Sequence, residues 1–374
     1  MKKIFVSCGE VSGDLYAGDF IREVLKLDPS IKISGMLGPE GQRAGGVAQW
    51  SYEELKLMGI LEIVPALPKI FALKNSITDE IMKSKPDAVV LIDSPDFHLM
   101  LAKSLRRKNF AGKIICLIPP TVWAWRAGRV KNLRRDFDLC LPLFYFEHKF
   151  LIEHGVNSKW KAHPLVHDLE GVRVSDTFKK KFGDERLIAL MPGSRRYDID
   201  FHLDILLDAA KLLRSKNFLP VFSIAPGLSQ SLADELRGRV KVSGFEFWEG
   251  EGRELMLASE AVAGVSGTVA VEAMLLGRFM VVIYNMKKIN YAILKKLVHV
   301  KKISVPNLLT GREVYPELLC QDATPERIIY ELENYLSDGS RHEDIDTALR
   351  EGKALMGDCN AAEFWADSVL ALNR

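Results

Sequence analysis

Cysteine is scarce and scattered. Cys8, Cys116, Cys140, Cys320 and Cys359 include no C-x-x-C pair, which argues against a zinc site and a disulfide framework and fits a reducing cytoplasm. Charge of one sign is missing too: 51 Lys and Arg face 49 Asp and Glu, a net charge of +2. That balance argues against a general nucleic-acid binder, so attraction to anions has to come from local patches. No uncharged apolar run is long enough to span a bilayer. Met1-Lys2-Lys3 could open a signal peptide, but Glu10 and Asp14 break the apolar run behind it, which reads as a strand and a turn. The dinucleotide fingerprint G-x-G-x-x-G is absent, so a nicotinamide cofactor is not expected. What remains is a chain of 374 residues, 48% hydrophobic and 27% charged, long enough for two globular domains.

Val89-Val90-Leu91-Ile92 reads as a strand buried on both faces, as in a parallel sheet. The run stops at Asp93, and Pro95 turns the chain. Ligands of open α/β sheets bind outside the carboxyl ends of the strands, which makes Asp93 a candidate catalytic group. Alternatively, Asp93 or Asp96 caps the next helix. Upstream, Ile4-Phe5-Val6-Ser7 reads as a first strand, Gly9 to Asp14 as a turn, and the segment with Leu15, Ile21, Val24 and Leu25 as a helix. Ser12 is either that helix's N-cap or, with Glu10, part of a crevice beside Asp93. Ile31–Met36 reads as a second strand, Lys113–Ile118 as another, and Leu139–Phe144 as the last strand region of this half.

Two further stretches of this half stand out. Met58 to Leu73 is apolar, and Pro65 and Pro68 disfavour a long regular helix at its start. It is either a buried connection or an exposed surface that meets lipid, with Met58, Leu67 and Phe71 as contacts. Trp123 and Trp125 lie in a loop after a strand, among Arg126, Arg129, Lys131, Arg134 and Arg135. They wedge the loop onto the core or form a wall for a sugar or acyl chain, with Arg126 beside it.

The pattern restarts after a polar linker near His167–Arg186. Leu187–Met191 is a strand, and the turn Pro192-Gly193-Ser194-Arg195 precedes a helix from about Asp200. Backbone N–H groups at such a turn suit a phosphate, and Arg195 adds a charged fork. Pro220–Ile224, Ala261–Gly264 and Phe279–Tyr284 are further strands. Ser266-Gly267-Thr268 forms a second phosphate-suited turn, with Glu272 one helical turn beyond it. Glu272 is either a ribose-binding carboxylate or an ordinary surface acid. Met286–Lys302 mixes apolar residues with lysines and is either core with a solvated face or a contact for anionic lipid. Pro306–Glu313 reads as a loop able to close over a ligand, and Thr324–Arg374 as helical.

Together these blocks identify a family resemblance. Gly9-Glu10-Val11-Ser12-Gly13-Asp14, Met58-Gly59-Ile60, Ile92-Asp93-Ser94-Pro95-Asp96-Phe97, Val122-Trp123-Ala124-Trp125-Arg126, Pro192-Gly193-Ser194-Arg195, Ser266-Gly267-Thr268 with Glu272, and Pro306-Asn307-Leu308-Leu309 with Gly311-Arg312-Glu313 run in the order found in lipid-A-disaccharide synthases. The chain departs from the family's usual pattern at Pro119-Pro120-Thr121, at His98 (where Asn is usual), at Ala162 and at Asp198.

The resemblance implies an α/β protein of two Rossmann-like domains facing across a cleft, a GT-B-like fold. The expected division is 1–165 for acceptor and catalysis, 166–345 for the UDP-sugar, and a helical tail 346–374 that packs on the N-terminal domain or on a partner subunit. It implies an inverting glycosyltransferase that joins UDP-2,3-diacylglucosamine to 2,3-diacylglucosamine 1-phosphate. Asp93 is the base, Glu10 an orienting acid, and Arg195 and Ser266-Gly267-Thr268 stabilise the leaving diphosphate. Gly193 and Ser194 complete the UDP site, Glu272 holds the ribose and Asn307 contacts the nucleotide side. Ser12, Trp125 and Arg126 meet the acceptor. No cofactor or metal is expected, since no His/Cys cluster is present. The resemblance also implies a homodimer at the inner face of the membrane, without nucleic acid. A UDP-sugar epimerase and a non-catalytic lipid-binding protein are the competing readings.

Overall fold

The computed structural model describes residues 1–56, 63–286 and 302–373. Met58 and most of the lysine-rich Met286–Lys302 stretch lie outside the described residues. The chain divides into two compact units, Met1–His167 with Gly357–Arg374, and Asp168–Met356.

The first unit is built on six strands: β1 (Lys3–Cys8), β2 (Lys32–Leu37), β3 (Val47–Ser51), β4 (Ala88–Ile92), β5 (Lys113–Leu117) and β6 (Leu139–Leu141). All neighbours are parallel, in the order β3-β2-β1-β4-β5-β6. Side chains alternate across a strand, so a sheet covered on both faces needs apolar residues at every position. β4 meets this requirement, with all five residues buried. Ile4, Val6, Val90 and Ile92 share one core with Phe20, Ile21 and Val24 of α1 (Val11–Leu27). Phe5, Val89 and Leu91 point the other way. They pack with Ile77 and Ile81 of α2 (Ile63–Ser84) and with Leu101 and Leu105 of α3 (Pro95–Arg107). Farther along, α4 spans Tyr145–Glu153.

The second unit repeats the arrangement without repeating the sequence. Its strands are β7 (Leu187–Met191), β8 (Leu219–Ser223), β9 (Glu246–Trp248), β10 (Ala261–Val265), β11 (Met280–Tyr284) and β12 (Glu317–Leu319). Read from its β9 edge, the order is β9-β8-β7-β10-β11-β12. In both sheets the first and fourth strands of the unit are therefore neighbours, and the winding reverses between them. That reversal opens the crevice in which doubly wound sheets bind ligands. The helices that matter here are α5 (Arg196–Ser215), α6 (Gly252–Ala258), α7 (Thr268–Leu275), α8 (Val305–Thr310) and α9 (Gly339–Ala354).

Three sequence expectations change. α2 runs from Ile63 through both prolines. Pro65 lies in the first turn, where no N–H is needed, and Pro68 forgoes a single helical bond. Pro306–Thr310 is helical rather than a loop, and Gly311 stops the helix with φ 70°. The tail expected from 346 is divided: α9 stays with the second unit, and only α10 (Ala361–Leu370) returns to the first. There Trp365, 1% exposed, meets Tyr16 of α1 edge-on at 6.0 Å.

Candidate active site

In the first unit, Cys8 is level with Ile92, and Ile92 with Leu117, so β1, β4 and β5 end together. The turn after β4 is tight. Asp93 and Ser94 both adopt the left-handed conformation, with φ 55° and 43°, which is unfavourable for residues with a Cβ. Asp93 donates its N–H to the Leu117 carbonyl at 3.1 Å. One carboxylate oxygen, Oδ1, accepts the Ser94 N–H at 2.8 Å, and Ser12 Oγ lies 3.5 Å from the other. The helix is capped by neither Asp93 nor Asp96: Ser94 occupies the N-cap without a side-chain bond. Asp96, exposed, pairs instead with Arg126 at 3.3 Å and with Arg129.

The β1 turn lies against this one. A Cβ on Gly9 would sit 2.1 Å from Ser94 Oγ, so only glycine permits the approach. Ser12 is not the N-cap of α1. The helix starts at Val11, with Glu10 exposed at the N-cap. Asp14 serves the scaffold: its carboxylate accepts the N–H groups of Gly38, Glu40 and Gly41 at 2.7, 2.9 and 3.1 Å.

The two tryptophans separate in role. Trp123 is half-buried and donates Nε1–H to Glu147 at 2.9 Å. Trp125 is 39% exposed, with the Arg126 guanidinium 4.4 Å from its ring centre. Burial pushes the Glu147 carboxyl up to about 7, against the bonds from Trp123 and from the Phe144 and Leu143 backbone.

Two residues missed by sequence reasoning support Asp93. His98 is buried. Its Nδ1 lies 2.7 Å from the Asp93 carbonyl and its Nε2 2.9 Å from Ser7 Oγ. Burial holds the His98 ring down at about 4. The only trace of this in the sequence is a histidine one turn into the helix that follows Asp93.

In the second unit, β7 and β10 end beside a cavity of about 210 Å³. Its lining includes Gly193, Ser194, Arg195, Ser266, Gly267 and Thr268, so the two phosphate-suited turns meet at one place. Gly193 has φ 106°, and a Cβ there would lie 2.4 Å from Asp198 Cβ. Arg195 is exposed at the N-cap of α5, and Gly267 is the N-cap of α7. The N-terminal ends of two helices thus border one cavity, and such ends suit an anion.

Asp198 also lines the cavity, unforeseen from the sequence. Behind it stands buried His202, with Nδ1 2.6 Å from the Asp198 carbonyl and Nε2 accepting the Asn285 N–H at 2.7 Å.

Glu272 lies one turn further along α7 and is not part of the cavity lining. It is no ordinary surface acid: its side chain is 13% exposed and accepts from Arg253 Nε at 2.8 Å. Burial raises its carboxyl above the usual range, and Arg253 partly offsets this.

Asn307, expected on the nucleotide side, is bonded within the fold. Its side chain is fully buried and fully engaged. Nδ2 donates to the Tyr315 carbonyl at 2.7 Å and to Glu317 at 2.8 Å, and Oδ1 accepts from Val314 and Tyr315 at 2.8 and 2.9 Å. An amide offers two donors and two lone pairs, so these bonds use the full capacity of the side chain. Leu67 and Phe71 are exposed, 39% and 45%, four residues apart on α2.

Among the described residues no group of three or more His, Cys, Asp or Glu could hold a metal, and no helix is long and apolar enough to cross a membrane. Asp198-Ile199-Asp200 has the D-x-D spacing but lies in α5, where residues two apart do not share a face.

Comparison with known proteins identifies the family. The family model for lipid-A-disaccharide synthetase matches residues 4–367. The lipid-A-disaccharide synthase of Geobacter metallireducens is 32% identical over 377 residues, covering 99% of this chain and 97% of that one. That of Myxococcus xanthus is 33% identical with the same coverage, and that of Acinetobacter baylyi 35% identical over 90% and 88% of the two chains. Among solved structures, a Staphylococcus aureus MnaA–UDP complex superposes with a TM-score of 0.65 at 12% identity, covering 100% of this chain and 97% of the other. The calicheamicin glycosyltransferase CalG4 gives 0.60 at 14% identity, over 100% and 99%. These superpositions establish the shared two-Rossmann fold of GT-B glycosyltransferases and related epimerases. With a match that runs almost from end to end, the chain belongs to the lipid-A-disaccharide synthase family.

Proposed function

We propose that this enzyme transfers a 2,3-diacylglucosaminyl group from UDP-2,3-diacylglucosamine to the 6-hydroxyl of 2,3-diacylglucosamine 1-phosphate. The products are the β-1,6-linked disaccharide 1-phosphate and UDP. The observation that carries this reading is the family match across residues 4–367.

In this reading the second unit holds the donor. The turns Gly193-Ser194-Arg195 and Ser266-Gly267-Thr268 present backbone N–H groups to the diphosphate, and Arg195 adds a cation against the charge that grows on it. Glu272, steadied by Arg253, accepts from the ribose hydroxyls. In the first unit Asp93 takes the proton of the acceptor's 6-hydroxyl. That oxygen bonds to the anomeric carbon as the bond to the diphosphate breaks, and UDP leaves with the electron pair. A single displacement inverts the anomeric centre without a covalent glycosyl-enzyme. Ser12 and Glu10 orient Asp93 or the acceptor, and Trp125 with Arg126 flanks the acceptor. The chemistry places no demand on a metal or an organic cofactor.

Acylated substrates favour a membrane-surface enzyme on the cytoplasmic side. The exposed pair Leu67 and Phe71 on α2 supplies an apolar contact. By the family resemblance the working assembly is a homodimer.

The test is to incubate the protein with UDP-diacylglucosamine, with and without the monosaccharide 1-phosphate, and to follow UDP and sugar products by mass spectrometry. Acceptor-dependent UDP release with a disaccharide product supports the reading. UDP release or an epimerised donor without acceptor contradicts it and favours a sugar-nucleotide epimerase.

A further inference from the structure

The turn that carries Asp93 is held in an unusual way. Two consecutive residues with side chains, Asp93 and Ser94, sit at φ 55° and 43°. Such conformations persist only where the surroundings over-determine them. Pro95 has no N–H, so it contributes no backbone donor at the start of α3. The next helical bond, from His98 N–H, goes to the Ser94 carbonyl at 3.1 Å. The Asp93 carbonyl instead faces the His98 ring, 2.7 Å from Nδ1.

A carbonyl can only accept, so Nδ1 carries the hydrogen. Nε2 is then an acceptor, matched by the Ser7 hydroxyl at 2.9 Å. Ser7 is fully buried on β1 and level with Leu91 of β4. The ring is thereby fixed at both nitrogens, between the strand that precedes the Glu10 turn and the backbone of Asp93. The second unit contains the same device, in which His202 bridges the Asp198 carbonyl and the Asn285 N–H.

We infer that His98 is a positioning residue for the transfer reaction: its Nδ1–H bond to the Asp93 carbonyl, braced by Ser7, fixes the left-handed turn and so aims the Asp93 carboxylate. This rests on the reading of Asp93 as the base. His98 touches no substrate and exchanges no proton in the reaction. Burial keeps the ring neutral, which preserves the single tautomer that the two partners demand.

The amide side chains dissect the two bonds. The Asn amide nitrogen falls near the place of Nδ1, whereas the Gln amide reaches the place of Nε2. His98→Asn therefore keeps the donor to Asp93 and loses Ser7, and His98→Gln does the reverse. The expected result is that His98→Asn keeps kcat within about threefold. His98→Gln loses roughly a hundredfold in kcat, the scale of a small misplacement of a reacting group. KM for the donor and UDP binding stay near wild type in both, which also shows that the second unit is intact. His98→Leu behaves like the Gln variant.

Asp93→Asn is run alongside. If it is inactive while folded His98→Gln and His98→Leu keep wild-type kcat, the inference on His98 is overturned and the reading of Asp93 stands. If Asp93→Asn itself turns over normally, the reading of Asp93 fails and this inference fails with it. A measurement on the unaltered protein guards against variants that do not fold. In ¹⁵N-histidine NMR at neutral pH, His98 shows a protonated Nδ1 and a bare Nε2. The opposite tautomer overturns the inference.

Discussion

Arg253 Nε and Glu272 Oε1 are 2.8 Å apart, joining α6 to α7 just behind the second phosphate-suited turn. The pair is largely shielded, with side chains 27% and 13% exposed. Charge-assisted bonds of this kind are directional, so Arg253 fixes where the carboxylate points. Arg253→Ala leaves that carboxylate buried without its cation, and its already raised proton affinity rises further. We expect Arg253→Ala to weaken UDP binding about tenfold, and Glu272→Ala to do so at least as much, the scale of a lost bond to a charged group. Calorimetric titration with UDP measures both, and unchanged affinity in Glu272→Ala would exclude the ribose contact.

Asn307 gives a contrasting prediction. Its four hydrogen bonds tie α8 to the segment that leads into β12, and Glu317 additionally accepts the N–H groups of Ile303 and Ser304 at 2.9 Å each. Asn307→Asp puts an oxygen against the Tyr315 carbonyl and the Glu317 carboxylate. It should destabilise the fold by about 3 kcal/mol, as expected when a buried polar network is broken. Any loss of activity should then track a lowered Tm. An inactive Asn307→Asp with wild-type Tm would instead restore a direct role at the nucleotide.

Glu147 links pH to the loop that bears Trp125. Its carboxyl is raised from 4.5 to about 7. Between those values the folded protein holds a proton that the unfolded chain has released, so this group makes stability fall as pH rises through the window. The full effect is roughly 3 kcal/mol, by one unit of pKa to 1.4 kcal/mol. His98 and His163, lowered by burial to about 4 and 3, act oppositely: the unfolded chain protonates first, and stability falls as pH drops below 6.5. The difference between wild type and Glu147→Gln isolates the carboxylate. Urea melts at pH 5 and pH 8 should show stability declining less with pH in the variant. Parallel curves would contradict the assignment.

Leu67 and Phe71 lie in the open on α2. Changing both to Ser should leave Tm within about 1 °C, because exposed sites contribute little to stability. Partitioning onto anionic vesicles should fall several-fold, in proportion to the apolar area lost. Unchanged partitioning would remove this face from the membrane contact.

The residues at the strand ends were legible because the strand–turn–helix pattern is local. A buried apolar run stopped by Asp93, or by Pro192-Gly193, locates a crevice with no long-range information. What stayed hidden depends on partners far along the chain. Ser7 and His98 are 91 residues apart, and only the pairing of β1 with β4 brings them together. The four bonds of Asn307 leave no trace in the sequence because its partners belong to the approach to β12, a strand of three residues too short to show a pattern. β3 and β9 escaped for the same reason: both are short sheet edges, and β3 alternates exposed with half-buried positions. Arg253 carries no local sign of its pairing with Glu272.

The most direct test of the account is the turnover of Asp93→Asn with both substrates present, read beside its affinity for UDP. Asn keeps the shape of the side chain and the bond to the Ser94 N–H but cannot take the proton. The account predicts that disaccharide formation falls by at least about a thousandfold, within the range for a lost general base, while UDP binds as in wild type. Near-normal turnover with intact UDP binding would contradict it.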